Sequence, residues 1–283
     1  MILVTGATGN IGSALLRQLH AHGAGPVRGL TRNPARASFP AGVEAVEGDL
    51  TRPDTLHAAL KGVRAMVLLS GTSTAAGSAA EDGVLTAARE AGVDHVVLVS
   101  SIAVQTHPHL ACYASIHAAE RAVRDSGMDW TILRPTQFAS NTLWWAPSVR
   151  EHGTVRAPFA DTGLPVIDPA DIAAVARVVL TGPGHRGRTY ALTGPETVTP
   201  RRQAAALAAA LGREVTFTEI SREEAHRDLA AVLGDATAAD VLDLMGGDVN
   251  EELLAVRDTV RELTGVPART FEEWAREHAA AFR

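Results

Sequence analysis

Short apolar runs alternate with amphipathic stretches along the first two thirds of the chain. Several of these runs are apolar at every position, as in the segment Val-Val-Leu-Val at positions 96–99. This pattern is typical of strands in a parallel sheet, because helices cover both faces of such a sheet. The predicted strands are Met1–Thr5, Pro26–Thr31, Val43–Glu47, Ala65–Leu69, His95–Ser100 and Trp130–Leu133.

The segments between these strands have the period of amphipathic helices. The predicted helices are Ile11–Ala21, Pro53–Leu60, Ala76–Ala91 and Leu110–Ser126. A repeated order of strand, helix and strand predicts right-handed crossovers and helices on both sides of the sheet. We therefore predict the α/β fold class, with a doubly wound Rossmann parallel sheet over residues 1–134.

The pattern loosens beyond residue 134. A loop-rich stretch contains Pro135, Pro147, Pro158 and Pro165. The elements predicted after it are helices near Pro169–Leu180 and Pro200–Leu211, strands near Arg188–Leu192 and Val215–Ile220, and mostly helix to the end. Capping boxes are predicted at Ser221 with Glu224 and at Thr270 with Glu273. We predict that residues 135–283 form a smaller mixed α/β C-terminal substrate-binding region, packed on the Rossmann core.

A glycine motif follows the first predicted strand and opens the first predicted helix. Residues 6–12 read Gly-Ala-Thr-Gly-Asn-Ile-Gly. Gly6 permits a tight turn, Gly9 lets the backbone approach a pyrophosphate, and Gly12 lets the helix pack closely on the strand. The amide groups and the positive dipole end of the helix then face the phosphates. This arrangement predicts a dinucleotide-binding site.

The end of the second strand indicates which dinucleotide binds. Sites that prefer NAD usually place an acidic residue there, which accepts a hydrogen bond from the ribose 2′-hydroxyl. Thr31 leaves this place uncharged, and Arg32 follows it. Because a guanidinium can fork onto a 2′-phosphate, we predict NADPH rather than NADH as the cofactor. The alternative is that Arg32 is a solvated loop residue.

Further cofactor contacts are expected where the other strands end. Asp49 and Leu50 follow the third strand, where they would either contact the adenine or form an ordinary N-terminal turn of a helix. The complete set of predicted cofactor-binding residues is Gly6, Thr8, Gly9, Asn10, Ile11, Gly12, Arg32, Asp49, Leu50, Leu69, Ser70, Gly71, Ser100 and Pro135.

The composition of the chain indicates its cellular compartment and the classes of partner that it binds. The formal charge of −6 disfavours nucleic-acid and anionic-membrane partners. The single cysteine excludes an intrachain disulfide, and neither a signal-type segment nor a long apolar run is visible, so we expect a cytoplasmic protein. His107 and His109 are spaced like metal ligands, but this spacing alone does not supply a ligand set, and no metal is expected.

Several motifs taken together resemble one family. They are the segments Thr5–Gly12, Thr31–Pro34, Gly48–Leu50, Val99–Ser101, Leu133–Pro135 and Tyr190–Pro195. Over essentially its whole length the chain resembles the NmrA-like group of atypical short-chain dehydrogenases/reductases. The resemblance implies a Rossmann fold, and it implies either an NADPH-dependent quinone oxidoreductase or a nucleotide-sensing regulator.

Short-chain reductases use a serine, a tyrosine and a lysine, the last two spaced Tyr-x-x-x-Lys on a helix. The resemblance places Ser101 (or Ser100), Tyr113 and His117 at these catalytic positions, and Lys61 is the only lysine in the chain. A lysine supplies a fixed charge that lowers the pKa of the phenol, whereas an ordinary histidine, with a pKa of about 6.5, is mostly neutral at pH 7. We therefore expect weaker acid catalysis by Tyr113.

Weak acid assistance favours an acceptor that needs little of it. Hydride addition to a quinone gives an anion that delocalises its own charge, whereas a simple ketone gives a localised alkoxide. Phe138, Trp144 and Trp145 fall within eight residues, and such a group of rings suits a flat ligand. The alternative is that these rings pack the Rossmann core and the C-terminal region together. The predicted substrate-binding residues are Phe138, Trp144, Trp145 and His107.

The leading hypothesis is an NADPH-dependent oxidoreductase that reduces a small aromatic or quinoid substrate. A polycyclic quinone of secondary metabolism, whose quinol goes on to react with oxygen, is one such substrate. The alternatives are an NADP(H)-sensing regulatory protein without turnover, and an isomerase or epimerase that uses bound cofactor. A monomer and a homodimer remain equally open.

Overall fold

Strands and helices alternate through the first 135 residues, as the apolar pattern predicts. The computed structural model describes residues 1–69 and 77–283. The strands are β1 (Ile2–Val4), β2 (Val27–Thr31), β3 (Val43–Glu47), β4 (Ala65–Leu69), β5 (His95–Val99), β6 (Asp129–Pro135), β7 (Gln137–Phe138), β8 (Thr154–Ala157), β9 (Leu164–Ile167), β10 (Arg188–Leu192), β11 (Thr197–Val198) and β12 (Thr216–Glu219).

The helices are of very different lengths. They are α1 (Asn10–Ala21), α2 (His57–Leu60), α3 (Gly77–Glu90), α4 (Ala103–Thr106), α5 (Ala114–Asp125), α6 (Ala146–His152), α7 (Pro169–Thr181), α8 (Pro200–Leu211), α9 (Arg222–Leu233), α10 (Asp235–Leu242), α11 (Glu251–Leu254), α12 (Thr259–Thr264) and α13 (Phe271–Glu277). None of the described helices is both long and apolar enough to cross a membrane.

Two units are distinguished by their internal packing. The first comprises Met1–Val104, Tyr113–Pro135 and Pro169–Ala191, and the second comprises Gln105–Cys112, Thr136–Asp168 and Leu192–Arg283. The units interleave along the chain, whereas the sequence predicted one boundary after residue 134. Helix α7 belongs to the first unit, where Gln18 of α1 donates a hydrogen bond to the carbonyl of Ala170 (2.9 Å).

The first unit is built around a seven-stranded sheet. The strand order among the described residues is β10-β6-β5-β4-β1-β2-β3, and every pair from β3 to β6 is parallel. The inner strand β5 is buried at each position, which explains its apolar run over residues 96–99. The order reverses between β1 and β4, and in such sheets a ligand crevice opens at the carboxyl ends of the strands there. The predicted fold class is confirmed.

The second unit contains two small sheets with the orders β11-β9-β7 and β12-β8. Its core includes the fully buried rings of Phe271, Trp274 and Phe282. The expectation of a loop-rich stretch is wrong here, because α6, β8 and β9 occupy much of it. The prediction took the prolines as signs of loops. Pro147, however, stands in the first turn of α6, where the missing amide costs no helical hydrogen bond.

The two predicted capping boxes differ in the structure. Thr270 and Glu273 form the complete reciprocal pair at the start of α13. Ser221 accepts a hydrogen bond from the amide of Glu224 (3.1 Å), but the carboxylate of Glu224 pairs with Arg156 of β8 instead of returning to the cap. A tertiary ion pair has therefore replaced half of the local motif.

A buried arginine of β2 closes the C-terminal end of α2. The guanidinium of Arg28 donates hydrogen bonds to the carbonyls of Ala58 (3.2 Å), Ala59 (2.6 Å) and Lys61 (3.1 Å). It also binds the carboxylate of Glu44 on β3 (2.9 Å). Carbonyls at a helix C-terminus lack partners within the helix, so this one side chain satisfies several of them.

Substitution of this arginine should destabilise the first unit strongly. For Arg28→Met we expect the free energy of unfolding, measured by urea denaturation, to fall by about 3–5 kcal/mol, because the carbonyls of Ala58, Ala59 and Lys61 lose their donor and each buried unsatisfied group costs about 1–3 kcal/mol. Glu44→Gln serves as the control and should cost no more than about 1 kcal/mol, since the side chain of Glu44 is 53% exposed. Equal losses in the two variants would contradict this account.

Candidate active site

The glycine motif forms a tight turn between β1 and α1. Gly6 has a φ of +54°, a left-handed conformation that glycine adopts without strain, and its carbonyl accepts a hydrogen bond from the amide of Gly9 (2.9 Å). A Cβ on residue 12 would collide with the carbonyl oxygen of Gly6 and would stand 2.9 Å from the Cα of Ala7. Only glycine at position 12 therefore lets α1 pack directly on this turn.

The start of α1 has the features of an anion site. Gly9 is the N-cap, and no side chain of the described residues caps the helix. The first-turn amides of Asn10, Ile11 and Gly12 have no partners within the helix. Among the described residues, a Cβ on Gly9 would meet only the carbonyl oxygen of Gly6, at 3.3 Å, and Thr8 beside it is exposed. These residues fit the pyrophosphate of a dinucleotide.

Thr5 links the two strands at which the sheet order reverses. Its buried hydroxyl oxygen accepts a hydrogen bond from the amide of Leu69 at the end of β4 (3.0 Å). The side chain of Leu69 in turn lies against Gly6. Sequence reasoning did not single out Thr5, because a threonine inside an apolar strand gives no signal of its partner. Ser70 and Gly71, predicted beside Leu69, lie outside the described residues.

Two arginines and an aspartate lie at the carboxyl ends of β2 and β3. Asp49 accepts hydrogen bonds from the amide and the hydroxyl of Thr51, each 2.9 Å long. These bonds hold the pKa of Asp49 below its ordinary value, and the charges of Arg32 and Arg52 lower this pKa further. Arg32 is exposed. This edge therefore presents the charges of Arg32 and Arg52 to solvent beside the carboxylates of Asp49 and Asp54, while Leu50 packs partly on the core.

The ends of β5 and β6 lie on the other side of the reversal, where the nicotinamide half of a dinucleotide binds in this fold. The amide of Ser100 donates to the carbonyl of Leu133 (2.7 Å), and the amide of Ile102 donates to the carbonyl of Pro135 (3.0 Å). These bonds continue the pairing of β5 with β6 beyond the strands. They hold Ser100, Ser101 and Pro135 at one edge of the sheet.

The structure distinguishes the two candidate serines. The hydroxyl of Ser100 is buried and donates to the carboxylate of Glu120 (2.6 Å). The half-buried hydroxyl of Ser101 accepts from the amide of Ala103 (3.2 Å), which leaves its own proton for a donated hydrogen bond. The hydroxyl of Ser101 is therefore the better placed of the two to bind a ligand.

Tyr113 ends a short 3₁₀ turn and immediately precedes α5, which begins four residues later than the predicted helix. Its backbone (φ −100°, ψ 3°) is close to helical, so Tyr113 and His117 lie one turn apart on the same side. The Nε2 atom of His117 is buried and has no hydrogen-bond partner in the described part of the chain. A buried polar atom of this kind needs a partner, which a ribose hydroxyl of a dinucleotide would supply.

Glu120 follows His117 by three residues on the buried face of α5. Its carboxylate is bound by Ser100, Arg134 and Arg124. Burial raises the pKa of Glu120, but the hydrogen bonds from Arg134 and Ser100 outweigh this effect and hold the pKa below its ordinary value. Sequence reasoning missed this residue, although a charge within the apolar stripe of an amphipathic helix was a usable signal.

The aromatic residues predicted to bind substrate lie in the second unit. Phe138 ends β7 and is half-buried. Trp144 is 66% exposed, whereas its neighbour Trp145 packs against the core of this unit. The two adjacent rings therefore have different surroundings, and Trp144 is the ring that is accessible to a ligand.

The side chain of His107 is completely buried in the second unit. Its Nε2 donates to the carbonyl of Asp248 (2.8 Å), and its Nδ1 lies 2.8 Å from the hydroxyl oxygen of Thr106. Because both ring nitrogens have partners within the protein, the geometry favours a structural role over the predicted substrate contact. Among the described residues there is no group of three or more side chains that could hold a metal ion.

Cys112 precedes Tyr113, and its surroundings disfavour the thiolate form. Burial raises the pKa of its thiol to about 12, and the carboxylate of Asp240 contributes to the shift. The thiolate is the reactive form of cysteine, and at neutral pH this side chain is almost entirely a thiol. Thiolate chemistry is therefore not available at this position.

Comparison with known proteins identifies the family. The sequence profile of a family described as NAD(P)H-binding matches residues 6–183, which is more than half of the chain. The chain belongs to the NAD(P)H-binding family. The matched segment begins at the first glycine of the motif, directly after β1, and contains α1 and the strands β2 to β6.

Several known oxidoreductases are similar to this NAD(P)H-binding protein over their full length. A (4-alkanoyl-5-oxo-2,5-dihydrofuran-3-yl)methyl phosphate reductase of Streptomyces griseus subsp. griseus is 42% identical, and the match covers 100% of this chain and 99% of the relative. The NAD(P)H azoreductase of Xenophilus azovorans is 37% identical with the same coverage. The structure of quinone oxidoreductase QOR2 of Escherichia coli complexed with NADPH has a TM-score of 0.81 and 29% identity, and covers 98% of this chain and 99% of that chain.

These comparisons confirm the resemblance to the NmrA-like group and the enzyme class. The chain is an NAD(P)H-dependent oxidoreductase. The glycine cradle at the start of α1 fits the pyrophosphate of this cofactor, and the Nε2 of His117, buried and unpartnered among the described residues, fits one of its ribose hydroxyls. The individual binding and catalytic residues stay predictions.

Two alanine substitutions separate the two roles of the glycines. Gly12→Ala should lower both stability and NADPH affinity, because its Cβ collides with backbone; overpacking of this kind costs about 1–3 kcal/mol of unfolding free energy. Gly9→Ala should lower stability less than Gly12→Ala and raise the Kd for NADPH by about tenfold or more, since among the described residues its Cβ meets only the carbonyl oxygen of Gly6, at 3.3 Å, and lies before the start of the helix. Thermal unfolding without ligand and fluorescence titration with NADPH measure the two effects. If Gly9→Ala bound NADPH as tightly as the wild type, the pyrophosphate could not lie at the start of α1.

Proposed function

We propose that this protein reduces an aromatic or quinoid acceptor with NADPH. The observation that carries the proposal is the pair of Tyr113 and His117, in which a histidine stands at the lysine position of short-chain reductases, with its Nε2 buried and unpartnered among the described residues. The only lysine of the chain, Lys61, precedes β4 and therefore belongs to the amino edge of the sheet. The proton-donor site has no lysine to supply a fixed charge.

An acceptor that stabilises its own negative charge suits such a site. When hydride adds to a quinone, the charge spreads over an aromatic hydroquinone anion. A simple ketone instead develops a localised alkoxide, which needs a strong acid beside it. General acid assistance is worth roughly 10²–10⁴-fold in rate. Its weakening therefore penalises a ketone much more than a quinone.

The names of the relatives support this class of substrate. One relative is named for a quinone and another for an azo compound, and both groups are conjugated and electron-poor. A third is named for a 2,5-dihydrofuran ring in which a carbon–carbon double bond is conjugated with a lactone carbonyl and an alkanoyl carbonyl. We extend the shared property, a conjugated electron-poor acceptor, to this chain.

The side chains of the first unit take separate roles in this proposal. Bound NADPH supplies the hydride. Tyr113 donates a proton or a hydrogen bond to the acceptor, and the hydroxyl of Ser101 orients the acceptor. His117 offers Nε2 to the nicotinamide ribose. The proposed substrate-contacting side chains of the second unit are Phe138, Trp144 and Trp145, of which Trp144 offers the most exposed ring.

We also propose NADPH rather than NADH, because Arg32 follows β2 and Arg52 follows β3 at the same edge of the sheet. Arg32→Ala should raise the Kd for NADPH by about 10- to 100-fold and leave the Kd for NADH within about twofold, since only NADPH carries a 2′-phosphate. Arg17→Ala, which removes an exposed arginine from α1, is the matched control and should change neither affinity. Equal losses for both cofactors would refute the assignment.

The acceptor class is tested by NADPH oxidation at 340 nm with simple and polycyclic quinones and with simple ketones. The wild type should turn over quinones much faster than ketones, and Tyr113→Phe and His117→Ala should each lower quinone turnover by about tenfold or more. His117→Lys should raise ketone reduction relative to quinone reduction, because it restores the fixed charge. Faster turnover of ketones by the wild type would contradict the proposal. Oxygen uptake in the same assay tests whether the quinol reacts further.

The missing lysine also favours a second candidate function. A protein that senses NADP(H) and regulates a partner needs the dinucleotide site but not the proton donor. Tight NADPH binding without turnover of any acceptor would support this sensor, and steady NADPH consumption would exclude it.

A further inference from the structure

The buried face of α5 contains one charged residue among apolar ones. Ile116, Ala119 and Val123 face the core of the first unit, and Glu120 stands between them with only 1% of its surface exposed. A carboxylate without partners is very costly at such a place. The buried carboxylate of Glu120 therefore needs partners that offset its loss of hydration, and the presence of a charge at this position needs an explanation.

Each oxygen of the Glu120 carboxylate accepts two hydrogen bonds. Oε1 of Glu120 accepts hydrogen bonds from the hydroxyl of Ser100 (2.6 Å) and from Nε of Arg134 (2.8 Å). Oε2 accepts from Nη2 of Arg134 (2.7 Å) and from Nη2 of Arg124 (2.9 Å). Arg134 thus forks onto both oxygens, which fixes its direction as well as its distance.

Stability alone does not explain this arrangement. Replacement of a buried ion pair by apolar side chains of similar volume is often neutral or stabilising, so such pairs are better explained by the geometry they impose. Here the carboxylate belongs to α5, the hydroxyl of Ser100 follows β5, and Arg134 lies near the end of β6. One side chain therefore ties a helix to two strand ends.

These three elements carry the candidate catalytic groups. Tyr113 and His117 lie seven and three residues before Glu120, which places all three on one side of α5. Ser101 directly follows Ser100, and the amide of Ile102 is bound to the carbonyl of Pro135 (3.0 Å). The distance between Tyr113 and Ser101 therefore depends on how α5 is held against the carboxyl ends of β5 and β6.

We propose that Glu120 is a positioning residue for the nicotinamide end of the site. By binding the hydroxyl of Ser100 and the fork of Arg134, it sets α5 at a fixed distance from the ends of β5 and β6. The same bond withdraws the hydroxyl of Ser100 from the ligand and leaves this task to Ser101. The inference rests on the proposed reductase function for its catalytic consequence, but its structural consequence can be measured without turnover.

The first test is amide hydrogen exchange of the chain without ligand. Glu120→Gln keeps the side-chain shape but places an amide against Arg134, and Ser100→Ala removes only the hydroxyl. In both variants we expect faster exchange, by about tenfold or more, at the amides of residues 100, 102 and 104, which are hydrogen-bonded at this edge. The amides in the middle of β5 should not change. Arg124→Gln is the matched control: it removes a donor to the same carboxylate but leaves the links to both strands, and should behave as wild type.

The second test compares NADPH binding with turnover. A shift of the edge by about 1 Å can lower the rate by about 100-fold, so Glu120→Gln should lower kcat by about 10- to 100-fold at saturating NADPH and quinone. The fluorescence of bound NADPH, which reports on the nicotinamide surroundings, should change in the same variants. The double variant Ser100→Ala/Glu120→Gln should be no worse than Glu120→Gln alone, because both changes break one link.

Several results would overturn the inference. Uniform acceleration of exchange along the whole of β5 would show a general loss of stability, and unchanged exchange and NADPH fluorescence in Ser100→Ala and Glu120→Gln would show no positioning. Additive losses of kcat in the double variant would mean that the two residues act separately. If the wild type does not turn over, the proposed function fails, while hydrogen exchange and NADPH fluorescence still decide the role of Glu120.

Discussion

The carbonyl oxygen of Gly6 occupies the space that a Cβ at residue 12 would need. This close approach of backbone to backbone determines where α1 begins and how it meets β1. With the helix seated there, its unpaired amides lie beside the reversal of strand order, where parallel strands leave a crevice. Thr5 joins the ends of β1 and β4 at the same place. The geometry of the cofactor edge follows from these contacts.

Charge is handled in opposite ways on the two sides of this reversal. After β2 and β3, the exposed side chains of Arg32 and Arg52 lie beside a carboxylate that is held by its own turn, and Arg52 also pairs with Asp54, so these charges face solvent. After β5 and β6, the carboxylate of Glu120 is buried and fully bound by its neighbours. Under the proposals made above, charge on the first side would serve recognition and charge on the second side would serve geometry, because a buried group with all its partners has no capacity left for a ligand.

Substrate class depends on what the site lacks as much as on what it contains. Under the proposed function, the phenol of Tyr113 has a histidine beside it where short-chain reductases have a lysine, which suits an acceptor that carries its own charge. The related azoreductase, quinone oxidoreductase and furanone phosphate reductase are named for substrates of this kind. The different surroundings of Trp144 and Trp145 show how one aromatic motif divides between ligand access and core packing.

Sequence patterns determined the fold class, nearly all strands of the large sheet, the glycine turn and the cofactor, because each of these has a local physical cause. A strand covered on both faces is apolar at each position, and a phosphate turn needs glycine at particular places. Tertiary structure alone decided which serine keeps a free proton, that the Glu224 carboxylate leaves its cap for Arg156, and that His107 is buried. It also decided that Glu120 binds Ser100 and Arg134, residues 20 and 14 positions away. Such contacts depend on how separate elements pack, and no periodicity along the chain encodes the distance between two side chains that meet only after folding.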